Sequence, residues 1–439
     1  MSVLIAIVAF VFTLGVIVFI HESGHYMVAK LFGVRVLTFS LGFGNRVWGF
    51  TRGGTDYRIS ALPIGGYVRM GGEMAEESTG DPRDFVNKPR WQRILIYLAG
   101  PFMNVVLSVS VIAVLFMIGI NVQGFQDVAP VVGGFDTRLG GASAGEKAGL
   151  EVGDRILSVD GKPIELWRDF EFAVSTAPEK ALQLEVQRQD QRLPLVLTPS
   201  KVERYEFGDA GIYPKMQLRL SIITEGKPAA KAGFLSGDAI LKVDGQPIAD
   251  GAQFVAAIES KAGKTVEIEV LRQDQTLTLP VVPEEVDGKG RIGVQLGFFR
   301  QLPFFEAFTE SINYNIEIVS KTFQVIGKII GRSISFKSAT SGPLEMAVMT
   351  GQAAEQGMDS LFFFMGFLSI SIGILNLLPI PLLDGGQILI LLVESVLRRD
   401  LSLVVKERFA QAGFMMLMVL MATVFFFDLS KNLPSLFPK

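Results

Sequence analysis

The chain has 439 residues, 49% of them hydrophobic and only 19% charged, with a mean hydropathy of +0.39. A soluble domain carries about 25% charge, so at least part of this chain is built for a membrane. Its net charge of −3 lacks the basic surplus that nucleic-acid binding needs, and the absence of cysteine excludes disulfides, thiol nucleophiles and cysteine zinc fingers.

The first element is an 18-residue run without charge, residues 3–20. No Lys or Arg precedes it and no small-residue cleavage site follows, so it reads as a retained transmembrane helix rather than a signal peptide. It continues into His21-Glu22-Ser23-Gly24-His25, an HExxH pattern that holds both histidines of the chain. On a helix, positions i and i+4 share a face, so both imidazoles can bind one zinc ion while Glu22 acts on the attacking water. From Leu4 to His21 the helix rises about 26 Å, which places the motif near the edge of a hydrocarbon core about 30 Å thick. Ionisable groups are costly there and usually functional.

The loop from Lys30 to Arg93 holds ten Lys/Arg against six Asp/Glu. Within it, Val36–Phe43 and Asp56–Met70 carry β-forming residues around an Arg-Gly-Gly-Thr turn, a hairpin. Gly65 and Gly66 would let another backbone come close. Such a hairpin either binds an unwound substrate by strand addition or only braces the spans.

A second span follows within the charge-free residues 94–126. Next comes an internal repeat. KAGLEVGDRILSVDGKPI at 147–164 and KAGFLSGDAILKVDGQPI at 231–248 agree at 12 of 18 positions, and the same offset of 84 aligns RQDQ at 188–191 with RQDQ at 272–275. Two copies of one mixed α/β domain of about 85 residues follow from this constancy. Each copy has a Gly-Asp turn, a short apolar strand, a Val-Asp-Gly turn, a helical stretch and an alternating strand (LQLEV, then VEIEV). Residues 200–217 and 284–300 read as linkers. Residues 303–331 place apolar residues at helical spacing, Phe304 to Ile326, and read as a helix lying on the membrane surface or on the second repeat.

A third span covers 361–383 and continues past a Pro/Gly break toward Val393, and a fourth covers 409–427. Arg398, Arg399, Lys406 and Arg408 fill the short loop between them. The basic loops set the orientation: Lys30–Arg93 and this short loop face the cytoplasm, and the repeats and both termini face outside.

A hydrolytic zinc needs three protein ligands and one open position. With no further His or Cys in the chain, the third ligand must be a carboxylate. Asp384 is the best candidate. It is the first charge after the third span's uncharged run, beyond Pro379 and Pro381 and just before Gly385 and Gly386. Broken backbone at membrane depth is tolerated only where it lines a buried or watery cavity. A plain helix-capping Asp is the bland alternative. Asn376, at the start of the same segment, either hydrogen-bonds substrate or serves the broken backbone.

HESGH on the first span and NLLPIPLLDGG at 376–386 resemble the HExxH and NxxPxPxLDG motifs of the site-2 protease family of intramembrane zinc metalloproteases. Gly100-Pro101-Phe102-Met103-Asn104 is similar to the family's GPxxN, and Ser341-Gly342-Pro343-Leu344 resembles a further family segment. The repeat pattern AGL-x-x-GD-x-I-x-x-VDG-x-P resembles the PDZ domains of bacterial periplasmic proteases, which commonly bind peptide C-termini; a spacer that binds nothing is the alternative. The expected fold class is a polytopic α-helical membrane protein. It has four transmembrane helices, a membrane-associated β-hairpin loop and two tandem mixed α/β PDZ domains. The expected domains are 1–120, 121–213, 214–300, 301–360 and 361–439. The resemblance implies Zn2+ held by His21, His25 and Asp384, with Glu22 as catalytic base. It also implies a bacterial inner-membrane enzyme with periplasmic PDZ domains, acting in regulated intramembrane proteolysis of an envelope stress response. Its substrates would be single-pass membrane proteins already shortened by another protease, such as an anti-sigma factor, and remnant signal peptides. A non-catalytic PDZ adaptor with a vestigial zinc site is the competing reading, and the intact set of four chemical groups argues against it. A Ser-His-Asp protease in the external region is excluded, because no histidine lies there.

Overall fold

The computed structural model describes residues 3–73, 80–122, 128–136, 142–202, 206–215, 218–248, 251–272, 275–286, 288–331 and 334–436. The chain divides into two units. One comprises Met1–Met117, Pro303–Gly327 and Ala339–Lys439, and the other Ile118–Leu302 with Lys328–Ser338.

The first unit is helical. Its long helices are α1 (Val3–Leu31), α2 (Arg90–Ile118), α3 (Phe304–Ile330, whose last turn belongs to the other unit), α4 (Pro343–Gln356), α5 (Met358–Leu377), α6 (Asp384–Leu397) and α7 (Leu403–Leu436). Among the described residues, four stretches are long and apolar enough to cross a membrane: Leu4–Leu31, Arg90–Ile118, Met358–Leu377 and Leu403–Ser430. Helix α4 packs against α1, α5 and α7. Helix α5 stops where Pro379 forces its predecessor Leu378 into extended backbone. The chain resumes helix at Asp384, with Leu383 as the N-cap. Asp384 is therefore the first helical residue and not the capping one.

Between α1 and α2 lies a long antiparallel hairpin, β1 (Val36–Arg52) and β2 (Thr55–Met70). The first strand runs nine residues past the expected end at Phe43, because Arg46–Arg52 finds partners in Thr55–Ser60 across the Gly53-Gly54 turn. Each strand also folds over. Thr38–Leu41 pairs with Gly66–Arg69 on one side and with Asp56–Ile59 on the other. The result is a small sheet with 46–52 at one edge and 66–70 at the other. Its inner end shares a core of Ala29, Val34, Val36, Met70, Phe85 and Ile96 with α1 and α2.

The second unit holds the two repeats. Each has a four-stranded antiparallel sheet: Lys162–Pro163, Arg155–Val159, Leu182–Arg188, Gln191–Leu197 in the first, and Gln246–Pro247, Ala239–Val243, Val266–Arg272, Gln275–Val281 in the second. Helices Trp167–Ser175 and Gly251–Glu259 complete them. Strands Leu182–Arg188 and Val266–Arg272 show the same alternating burial, as period-2 patterning demands. The repeated Gly-Asp and Arg-Gln-Asp-Gln segments meet in space. Arg188 clamps Asp154 at 2.7 Å and donates to the Gly149 carbonyl, and Arg272 clamps Asp238 at 2.7 Å and donates to the Gly233 carbonyl. Residues 273–274 of the second copy lie outside the described residues.

Two expectations need correction. The stretches 200–217 and 284–300 are not linkers. Ile212–Pro214 pairs with Val132–Phe135, and Val294–Leu296 pairs with Leu220–Ile223. Ala210 joins the first repeat's core and Ile292 the second's. Strands of two to four residues are too short to carry a period, so they escape sequence reading. Helix α3 likewise has protein neighbours of its own. Within the first unit Asn315 accepts a hydrogen bond from Ser108 of α2 at 2.7 Å, and Tyr314 meets Phe363 of α5 with ring centroids 5.1 Å apart. In its last turn Lys328 reaches Thr176 and the Phe172 ring of the first repeat, which corrects the second-repeat half of the expectation and leaves the membrane-surface half untouched. Buried Asn and Ser seek partners, which decides where the helix packs.

Candidate zinc site

His21 and His25 lie one turn apart on α1, and both are mostly buried. The break between α5 and α6 delivers Asp384 to the same spot. His21 Nε2 stands 3.2 Å from His25 Nε2 and 3.3 Å from Asp384 Oδ2, and His25 Nε2 stands 3.5 Å from Asp384 Oδ1. These three separations test the fit for zinc. A tetrahedral ion bound at about 2.0–2.1 Å sets its ligand atoms about 3.3 Å apart. The donor set also suits zinc, two imidazoles and a carboxylate being a recurrent catalytic combination with a fourth position left open. Among the described residues this is the one group of three His, Cys, Asp or Glu side chains able to hold a metal.

Helix α2 makes room for the cluster. Gly100 faces the imidazoles, and a Cβ there would lie 2.3 Å from His25 Nε2 and 2.8 Å from His21 Cε1. One turn earlier, the Ile96 carbonyl accepts a hydrogen bond from His25 Nδ1 at 2.8 Å. A carbonyl can only accept, so Nδ1 carries the proton and Nε2 turns its lone pair toward His21 and Asp384.

Glu22, half-buried on the same turn of α1, takes a backbone hydrogen bond from Val68 of β2. The hairpin comes this close because Gly66 has no side chain. A Cβ there would meet Val18 at 2.7 Å, the Ser40 carbonyl at 2.8 Å and Glu22 Cγ at 3.2 Å. Gly65 has φ +90°, and its Cβ would strike the Phe43 ring at 2.5 Å. The structure thus sets the 66–70 edge beside Glu22, and the two glycines are accounted for by packing inside the hairpin and against α1. Asn376 sits half-buried in the last turn of α5, eight residues before Asp384. Sequence reasoning missed the Ile96 carbonyl, which no side-chain pattern can signal. It noticed Asn104 only as part of a motif, although that residue's carboxamide lies 3.2 Å from His21 Nδ1.

An HExxH helix converging with a distant aspartate, on helices long enough to span a bilayer, defines a membrane-embedded metallopeptidase. The sequence profile of peptidase family M50 matches residues 9–420, and the chain belongs to that family, the site-2 proteases; it is a zinc metalloprotease. The chain is similar to the regulator of sigma-E protease RseP of Salmonella typhimurium, at 32% identity over 98% of this chain and 100% of the relative. It is 31% identical to the protein of the same name from Escherichia coli K12, with the same coverage of both chains. A relative from Neisseria meningitidis, 30% identical over 97% of this chain and 99% of its own, bears a name that includes the words zinc metalloprotease. Among solved structures, the PDZ domain of an SdrC-like protein from Listeria monocytogenes matches 18% of this chain and 86% of its own at 26% identity. Its TM-score of 0.17 is too low to carry the fold.

Proposed function

We propose that this protein cuts single-pass membrane proteins within the bilayer, with His21, His25 and Asp384 as zinc ligands and Glu22 as the catalytic base. The observation that carries the reading is the set of three mutual donor distances, 3.2, 3.3 and 3.5 Å, next to Glu22. When bound, zinc supplies Lewis acidity that lowers the pKa of water and polarises a carbonyl. Glu22 takes the proton of the attacking water and passes it to the leaving amide nitrogen. Among the described residues the 66–70 edge has strand pairing on one side only, and an unwound substrate strand added there would be held beside Glu22. Gly65 and Gly66 shape that edge, and Asn376 contributes a hydrogen bond to the substrate.

The relatives' name, regulator of sigma-E protease, favours an anti-sigma factor as substrate, shortened beforehand by another protease, in an envelope stress response. Remnant signal peptides are a second class. The basic loops favour a bacterial inner-membrane protein with the repeats and termini on the periplasmic side. On this reading the chain comprises a membrane domain at 1–120, PDZ domains at 121–213 and 214–300, a helix-and-linker segment at 301–360 and a second membrane domain at 361–439. The PDZ pair takes peptide C-termini or bars substrates with bulky external domains.

The test pairs Glu22→Gln with the wild type on a trimmed single-pass substrate. General acid–base catalysis contributes about 10²–10⁴-fold, so cleavage should fall by that factor while one zinc per chain is retained. Undiminished cleavage by Glu22→Gln, or by wild type stripped of zinc, would overturn the reading.

A further inference from the structure

His25 has its outer nitrogen tied to α2 through the Ile96 carbonyl. The outer nitrogen of His21 faces the same helix two turns on. Asn104 is fully buried there, with its carboxamide nitrogen 3.2 Å from His21 Nδ1 and its carboxamide oxygen buried without a partner among the described residues. Residues 96, 100 and 104 share one face of α2, so one helix offers an acceptor to each histidine and, at Gly100, the space between them.

With its NH₂ end toward His21, the Asn104 amide does not serve the chemistry of the site. His21 Nε2 points into the cluster with His25 and Asp384, so its lone pair belongs there and the ring proton sits on Nδ1. A ring N–H facing an NH₂ group makes no hydrogen bond. The two ends of a carboxamide have the same shape, and hydrogen bonding decides which is which. Half a turn of the Asn104 amide lets His21 Nδ1–H donate to Oδ1 and satisfies the orphaned oxygen in the same step.

The rest of the residue is held. Its backbone carbonyl accepts a hydrogen bond from Ser369 of α5 at 2.9 Å, and Gly373 of α5 lies so close that a Cβ there would stand 3.2 Å from Asn104 Cβ. We infer that Asn104 is a positioning residue for the metal: its amide oxygen accepts the Nδ1 proton of His21, fixing the ring's tautomer and rotation so that Nε2 meets zinc. This rests on the zinc reading proposed above.

The experiment uses the full chain in detergent, stripped with a chelator and titrated with zinc, for wild type, Asn104→Leu, Asn104→Asp and His21→Ala. Outer-shell partners of metal-bound histidines are worth about 10–100-fold in affinity, so Asn104→Leu should lose that factor. Asn104→Asp keeps an acceptor oxygen and should stay within about threefold of wild type, well short of that range. Leu binding zinc as tightly as wild type overturns the inference. So does Asp falling as far as Leu, because an NH₂ group would then be what His21 needs. If the Leu variant does not fold, Asp decides alone. Failure of the zinc reading looks different: wild type takes up no zinc, or His21→Ala takes it up as well as wild type.

Discussion

A metal site in a packed membrane core depends on where atoms are missing as much as on where ligands stand. At Gly100 one absent methyl leaves the space in which His25 Nε2 and His21 Cε1 lie. His25 cannot swing away to admit a side chain without losing the Ile96 carbonyl. Gly100→Ala should therefore cost about tenfold or more in zinc affinity, as other disturbances around metal ligands do. Zinc per chain measured after gel filtration checks this, and full retention at wild-type affinity would mean that α1 and α2 can move apart cheaply. The candidate cluster was legible because an ionisable group inside a charge-free run is conspicuous: His21 and His25, with the proposed base Glu22 between them, end one such run and Asp384 ends another. Their supporting contacts were not, since Ile96 lies 71 residues from His25 and offers only a backbone oxygen.

Within the repeats the corresponding unit of design is the buried Asp clamped by a strand arginine. Burial alone would push the Asp154 carboxyl up, but the hydrogen bonds from Arg188 and from the Glu151 amide outweigh it and hold its pKa below the usual value. A carboxylate whose pKa is lowered on folding contributes stability that is complete above its unfolded pKa, about 3.9, and fades as pH falls through the folded value. Arg188→Ala leaves Asp154 buried without its main partner and should destabilise the first repeat by about 1–3 kcal/mol at neutral pH. The gap between wild type and variant should narrow below about pH 4. Urea unfolding of the full chain followed by fluorescence reports on this, because Trp167 is buried in the first repeat's core. A gap of the same size at pH 7 and pH 3 would rule the carboxylate out as its source. The offset of 84 exposed this clamp in sequence form, aligning Asp154 with Asp238 and Arg188 with Arg272, though only the fold explains why both recur. The misread linkers teach the converse. Ile212–Pro214 and Val294–Leu296 are held by pairing with strands about 70–80 residues away, and three residues show no period to read.

At the scale of the whole molecule, the chemistry and the repeats occupy separate parts of the chain. His21, Glu22, His25, Asn104 and Asp384 all belong to the helical unit. The chain leaves that unit and returns to it along neighbouring paths, since Ile120–Val122 pairs antiparallel with Phe298–Arg300. Partners in such a ladder lie about 5 Å apart, a gap that a short Gly/Ser linker spans. Replacing residues 123–297 by such a linker should thus leave α2 and α3 correctly joined. It removes the first repeat's contacts with Lys328 and Ser335, but no contact described for the zinc cluster. Sites without shared partners are additive to within about 0.5 kcal/mol, so the shortened protein should bind zinc within about twofold of the full chain. The same titration used for the Asn104 variants measures this. A loss of tenfold or more, in protein that still elutes as a folded species, would mean that the repeats help to hold the metal site together.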